Sequence, residues 1–317
     1  MKKLRHFIES LNRDKERYLC AVNGIIGDQL DKRKSRLAVE MRLSPSTQSA
    51  VASGGRICIL ANGSCASEKD WNFKDKDATT YGSLLQKDFG FTPFFLRYNS
   101  GLHISTNGRR LSNLLEEFVR SYPEKVAELI LVGHSMGGLV FRSACHYGKK
   151  EKREWVKLVR KIFYLGTPHL GTHLEKLGKL VTTILNQIPN PVTKILSLVG
   201  DMRSDGIKDL RHGYIVDEDW QKKNADHLFH LHRHTTPLLK NADHYLICST
   251  LSKVAGSRLG RMFGDGLVHP SSGTGQGLLS SNKLLFPEAH LKIIPGLSHY
   301  NLQRSRRVYR QIRAWCA

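Results

Sequence analysis

The sequence predicts an α/β fold: a mostly parallel central sheet with helices on both faces. Three observations carry that expectation. Between residues 56 and 168, short apolar runs rich in β-branched and aromatic residues alternate with segments of helical periodicity. The inner runs "LILV" and "IFYL" are apolar at every position, as strands covered on both sides are. Glycines at 63 and 90 close the first strand-like and the first helix-like segment of this stretch.

Taken in order, "FIESLNRDKERYLCAVNGIIGDQL" (7–30) reads as a helix and "LAVEMRL" (37–43) as a strand, with "SPSTQSAVASGG" (44–55) a Ser- and Gly-rich loop. "RICILAN" (56–62) is a strand, and "ATTYGSLLQKDFG" (78–90) a helix stopped by Gly90. "FTPFFLRYN" (91–99) is the next strand. The helix after it places Leu111, Leu114, Leu115, Phe118 and Val119 on one face. "AELILVGH" (127–134), "MGGLVFRSACHYG" (136–148) and "KIFYLGTP" (161–168) continue as strand, helix, strand. Between 170 and 240 the alternation breaks. Leu174, Leu177, Val181, Ile184, Leu185 and Ile188 form a stripe ended by Pro189, and "VTKILSLVG" follows. These helices are expected as a cap inserted over the carboxyl edge of the sheet, either lining an acyl pocket or adding an ordinary core layer. "HYLICST" (244–250), "HLKIIPG" (290–296) and a terminal helix from Asn301 to Trp315 complete one domain over 1–317.

With 317 residues, 40% hydrophobic and 24% charged, the chain has the composition of a soluble globular protein. No apolar run approaches the roughly 20 residues of a membrane span. The N-terminus lacks the apolar core of a secretory signal. The six cysteines are scattered without C-x-x-C pairs and read as reduced thiols, so a cytoplasmic location is expected. The formal charge of +21 would attract anionic lipid or nucleic acid. Its basic residues are dispersed, with no helix-turn-helix or aromatic RNA-binding signature. No specific nucleic-acid partner is expected, and peripheral contact with an anionic membrane stays open.

"LVGHSMGGLV" (132–141) carries the chemistry. It sets Ser135 between Gly133 and Gly137, as G-x-S-x-G, at the corner between a strand and a helix. Small flanking residues let the chain turn sharply there, which exposes the hydroxyl, and the amide of Met136 then faces developing negative charge. Ser135 is therefore the expected nucleophile. A serine needs a base, and the order Ser, acid, His points to Asp265 in "GDGLVHPSSG" and His299 in "IPGLSHYNLQ". Asp243 stands at the amino end of its strand, away from such a site, and Glu218 and Asp219 in "VDEDW" are expected to be solvated. In "ANGSCASEKDW" the amide of Ser64 is the expected second oxyanion donor. Cys65 beside it has no helix N-terminus or base of its own and reads as a plain thiol. His227, His230, His232 and His234 fit no standard zinc spacing, so no metal is expected. His134 fills a position in the turn that needs no catalytic role.

"GHSMGGLV", "FYLGTPHLGTHLE", "GDGLV" and "GLSHYNL" resemble the lipase-like branch of the α/β-hydrolases, including bacterial PGAP1-like serine esterases, which have stretches similar to "RYNSGLHISTNGR" and "NGIIGDQL". The likeness covers roughly residues 20–315. It implies the α/β-hydrolase fold, a Ser135–Asp265–His299 triad, and hydrolysis of a small-molecule or lipid ester through an acyl-enzyme, without a cofactor. One departure is Asn62-Gly63 where many lipases have His-Gly; asparagine is expected to hold that loop by hydrogen bonds instead. Acyl transfer or thioester hydrolysis would use the same residues. A non-catalytic, basic membrane-binding protein on a hydrolase scaffold is the remaining alternative.

Overall fold

A computed structural model describes residues 2–45, 54–73, 77–172, 178, 203–221, 233–254, 264–275, 284 and 286–317. Its sheet holds β1 (Arg42–Pro45), β2 (Arg56–Ala61), β3 (Thr92–Arg97), β4 (Glu128–His134), β5 (Val159–Leu165), β6 (Asp243–Thr250) and β7 (Leu291–Pro295). Their spatial order is β1-β3-β2-β4-β5-β6-β7. All neighbours run parallel except β1, which pairs antiparallel with β3 and sets Arg42 opposite Arg97. From β2 the chain steps outward to β3, then returns across β2 to β4 and continues the other way. The reversal opens a crevice at the carboxyl ends of β2 and β4, where open α/β sheets place their ligands.

The helices are α1 (Lys2–Lys32), α2 (Tyr81–Phe89), α3 (Ile104–Ser121), α4 (Met136–Lys150), α5 (Trp155–Leu158), α6 (Asp205–His212), α7 (Pro270–Gly273) and α8 (Arg306–Cys316). Strand alternation divides the core in two. Ile57, Ile59, Ala61, Leu129 and Leu131 face α3 and α4, whereas Cys58, Leu60, Ile130 and Val132 face α2 and α8. The Thr80 hydroxyl accepts the Ser83 amide to start α2, and Gly90, at φ 71°, ends it in the left-handed conformation that glycine adopts without strain.

Two boundaries differ from expectation. The first strand is Arg42–Pro45 rather than 37–43. Asn23 on α1 accepts the Val39 amide (2.9 Å) and donates to the Leu37 carbonyl (2.7 Å), which occupies the backbone that would otherwise extend the strand. The terminal helix is broken into a 3-10 segment, His299–Arg304, and α8. Tyr81 causes the break: its hydroxyl donates to the Leu302 carbonyl (2.6 Å) and accepts the Ser305 amide (2.9 Å). Of the expected cap, α6 is described, while the apolar residues of both stripes (174–189 and 192–200) lie outside the described residues, as do His227, His230 and His232. Among the described residues no helix is long and apolar enough to cross a membrane.

Candidate active site

Ser135 occupies the single residue between β4 and α4, and its backbone is at φ 53°, ψ −123°. A non-glycine residue is held there only when its surroundings over-determine it. Here the Ser135 amide donates to the Leu165 carbonyl (2.9 Å) and its carbonyl accepts the Gly138 amide (3.1 Å). The corner is closed too tightly for larger neighbours: a Cβ on Gly137 would lie 2.5 Å from the Ala61 carbonyl oxygen. Met136, fully buried, begins α4, so its amide belongs to the unpaired first turn beside Ser135.

The loop after β2 passes over the serine. A Cβ on Gly63 would stand 3.0 Å from Ser135 Cβ and 3.5 Å from Oγ, so Ser64 follows directly from a point of contact with the hydroxyl. Asn62 anchors this loop as expected. Its Oδ1 accepts Trp71 Nε1–H (2.6 Å), its Nδ2 donates to Ala66 (3.4 Å), and its carbonyl accepts the Tyr98 hydroxyl (2.8 Å). Trp71 was not foreseen as part of the site. The available signal was a tryptophan nine residues from Asn62 in the same loop, whose indole N–H needs an acceptor once buried. Cys65 is buried with its amide on Ser100 Oγ (3.1 Å), and burial pushes its thiol up to about 11, so it is not an activated nucleophile.

Asp265 and His299 form a buried pair. His299 Nδ1 donates to Asp265 Oδ2 (2.8 Å), and the backbones are joined as well, His299 N–H to the Asp265 carbonyl (3.1 Å). Asp265 Oδ1 accepts the amides of Leu267 (3.0 Å) and Val268 (2.8 Å). Burial opposes ionisation, but the charge and hydrogen bond of His299 together with those two amides outweigh it, and the carboxyl stays below its ordinary range. His299 Nε2 is buried without a hydrogen-bond partner. His134, next to Ser135, donates from Nε2 to the His299 carbonyl (3.0 Å), and the two rings lie 4.8 Å apart. Burial and the neighbouring His299 lower the His134 pKa to about 3, so it stays neutral. The structure thus gathers Ser135, His299 and Asp265 with Met136 and the Gly63–Ser64 turn at one edge of the sheet, without a hydrogen bond from His299 Nε2 to the serine.

The discarded acids fall elsewhere. Asp243 opens β6 at the amino edge, and Glu218 is exposed beside Lys150 at 3.5 Å. Asp219 is a correction: instead of being solvated it is buried and accepts the amides of Ile215, Val216 and His234. Its carboxylate is consumed by backbone donors, and a polar run gives no sign of that.

Residues 52–202 match the family described as "Putative serine esterase (DUF676)". Among solved structures, a Bacillus licheniformis lipase in its propeptide form is 19% identical, with 86% of this chain and 53% of that chain covered at a TM-score of 0.50. Its mature form is 18% identical over 84% and 93% of the two chains, at 0.47. An esterase of Thermogutta terrifontis is 11% identical over 88% and 93%, at 0.48. No curated protein matches the chain. The family match and the sheet order agree on one architecture, the α/β-hydrolase fold.

Proposed function

We propose that this α/β-hydrolase is a serine ester hydrolase of the lipase or esterase kind, with Ser135 as nucleophile, His299 as base and Asp265 as the residue that orients it. The observation that carries the reading is Ser135 held at φ 53° on a strand-to-helix corner, beside a buried His299–Asp265 pair whose Nε2 is left free.

Because Asp265 accepts the proton on Nδ1, neutral His299 presents an unprotonated Nε2. That nitrogen takes the proton of the Ser135 hydroxyl as Oγ attacks the ester carbonyl. The oxyanion is stabilised by the amides of Met136 and Ser64. The tetrahedral intermediate expels the alcohol, which takes the proton from His299. Water, deprotonated by the same nitrogen, then releases the acid and restores the serine. The resemblance to PGAP1-like esterases and the +21 charge favour an ester at or near a lipid surface. The outer side of α8, with exposed Arg306, Arg307, Arg310 and Arg313, is the part of the proposal that meets anionic membrane. Vesicle flotation tests that part: binding to anionic but not neutral vesicles, released by salt, is expected, and equal binding to both would remove it.

The catalytic reading is tested by intact mass after treatment with a fluorophosphonate. One adduct on the wild type, absent from Ser135→Ala and strongly reduced in His299→Ala, is the expected result. An unmodified, folded wild type would overturn the reading and favour the non-catalytic scaffold. Where the adduct forms on the wild type, a panel of esters and thioesters of graded chain length defines the acyl group.

A further inference from the structure

A cavity of about 50 Å³ lies between α4, the loop after β5 and the residues that follow α6. A water needs roughly 10–15 Å³ measured this way, so the space holds about three to five water-sized atoms. That suits a small polyatomic ion and is too little for an acyl chain. Arg142 enters it from α4, seven residues beyond Ser135 and so roughly 10 Å along the helix axis.

The cavity collects donors. Arg142 is 8% exposed, and its guanidinium donates to Thr236 Oγ1 (2.9 Å), the Thr236 carbonyl (3.3 Å) and His169 Nδ1 (3.3 Å), all neutral acceptors. A guanidinium can only donate, so His169 Nδ1 is the acceptor and the neutral ring carries its proton on Nε2. Burial and the adjacent Arg142 hold His169 neutral. Its Nε2–H has no acceptor, although the residue is only 2% exposed. Arg233 lines the same space and donates to the His169 carbonyl (3.2 Å). Among the described residues the one carboxylate in the lining is Asp219, and four donors already hold it: the amides of Ile215 and Val216 on Oδ2, and the amide and Nδ1 of His234 on Oδ1. Two guanidiniums against one committed carboxylate leave an excess positive charge in the lining.

We propose that this cavity is a binding site for a small oxyanion of the phosphate class, held by the guanidiniums of Arg142 and Arg233 and by Nε2–H of His169. The anion would supply the charge and the acceptors that the protein itself does not. It is either a free ion or the phosphate of an ester bound at the adjacent site, and only the second source rests on the hydrolase reading.

Thermal unfolding of the full chain with inorganic phosphate, at ionic strength fixed with sodium chloride, tests the site. A saturable rise in midpoint is expected for the wild type. Arg233→Gln, the less buried of the two arginines and the safer one to fold, should raise the half-saturating phosphate concentration roughly tenfold or more. Arg142→Gln should do the same where it folds. No phosphate-specific rise, or an unchanged response in Arg233→Gln, would overturn the site. Wild-type kinetics separate the sources. Competition by phosphate against a phosphate-bearing ester but not a neutral one assigns the oxyanion to the substrate; competition against neither, with binding intact, assigns a free ion. Binding needs no turnover, so a chain that binds phosphate yet resists the fluorophosphonate overturns the hydrolase reading alone.

Discussion

Asp265 uses its two oxygens for different purposes, and that division makes its replacement informative. Oδ1 is committed to the amides of Leu267 and Val268, and Oδ2 to His299 Nδ1. In Asp265→Asn the amide oxygen must keep the two backbone donors, so the new NH₂ faces His299 Nδ1. Two donors cannot face each other, and the imidazole is driven to carry its proton on Nε2, where it can no longer accept one from Ser135. Ester hydrolysis should fall on the order of 10³–10⁴-fold in kcat with little change in KM; a loss under tenfold in steady-state kinetics would remove Asp265 from its proposed role. Gly137 is constrained by backbone instead. A Cβ there meets the carbonyl oxygens of Ala61 at 2.5 Å and Asn62 at 2.6 Å, neither of which can swing aside. Gly137→Ala should cost about 1–3 kcal/mol in urea unfolding and more in activity, because the displaced atoms lead into the Gly63–Ser64 turn. The strand-to-helix corner at Ser135 with this glycine, and the two turns that carry Asp265 and His299, were legible because they sit in local patterns. Trp71, Asp219 and Arg142 were not, since their roles come from partners distant in space or hidden in polar runs.

At the scale of elements, the start of α3 is tied to α6 by an ionic clip. His103 Nδ1 reaches both oxygens of buried Asp209 at 3.1 Å, Asp209 also accepts the Ile104 amide (2.8 Å), and Trp220 stacks on the imidazole at 3.7 Å. Burial works against the His103 charge, but the hydrogen bonds and charge of Asp209, with Asp205 nearby, raise its pKa above the ordinary value. Burial raises Asp209 to about 6. Both folded values exceed their unfolded ones, so both signs agree: the folded state holds these protons more tightly and loses stability as pH rises. The Asp209 part is lost up to about pH 6, and the His103 part above about 6.5. His103→Gln should lower stability by about 1.5–3 kcal/mol at pH 6 and flatten the decline between pH 6 and 9 in urea titrations. An unchanged slope would show that the clip does not titrate. The alternation of strands and helices was readable throughout 56–168, since each element carries its own period. The limits of β1 and α8 were not, because Asn23 and Tyr81 set them from other elements.

Over the whole molecule, acid acts through a different set of histidines. His134 and His244 are buried neutral, with pKa values lowered by burial to about 3 and about 4, and His169 is lowered as well. Each donates from one ring nitrogen or accepts at the other without a counter-charge: His244 Nε2 donates to the Leu239 carbonyl (3.1 Å) while its Nδ1 accepts the Tyr164 hydroxyl (3.0 Å). Unfolded, all three would take a proton near pH 6.5; folded, they do not until far lower. The unfolded state therefore binds more protons below 6.5, and stability falls as pH drops, by about 1.4 kcal/mol per pH unit for each group. His134 and His244 together would remove roughly 4 kcal/mol by pH 5, a large part of the margin of an ordinary domain, and His169 acts in the same direction. Together with the His103 clip, which weakens in alkali, this predicts a stability maximum near neutral pH and unfolding in the range of about pH 4–5. The check is the slope of unfolding free energy against pH between 5 and 6.5, from urea titrations. His244→Gln, which keeps a donor and an acceptor in place of the ring nitrogens, should lower that slope by about 1.4 kcal/mol per pH unit whatever it costs at neutral pH; an unaltered slope would mean that His244 is already protonated in the native protein.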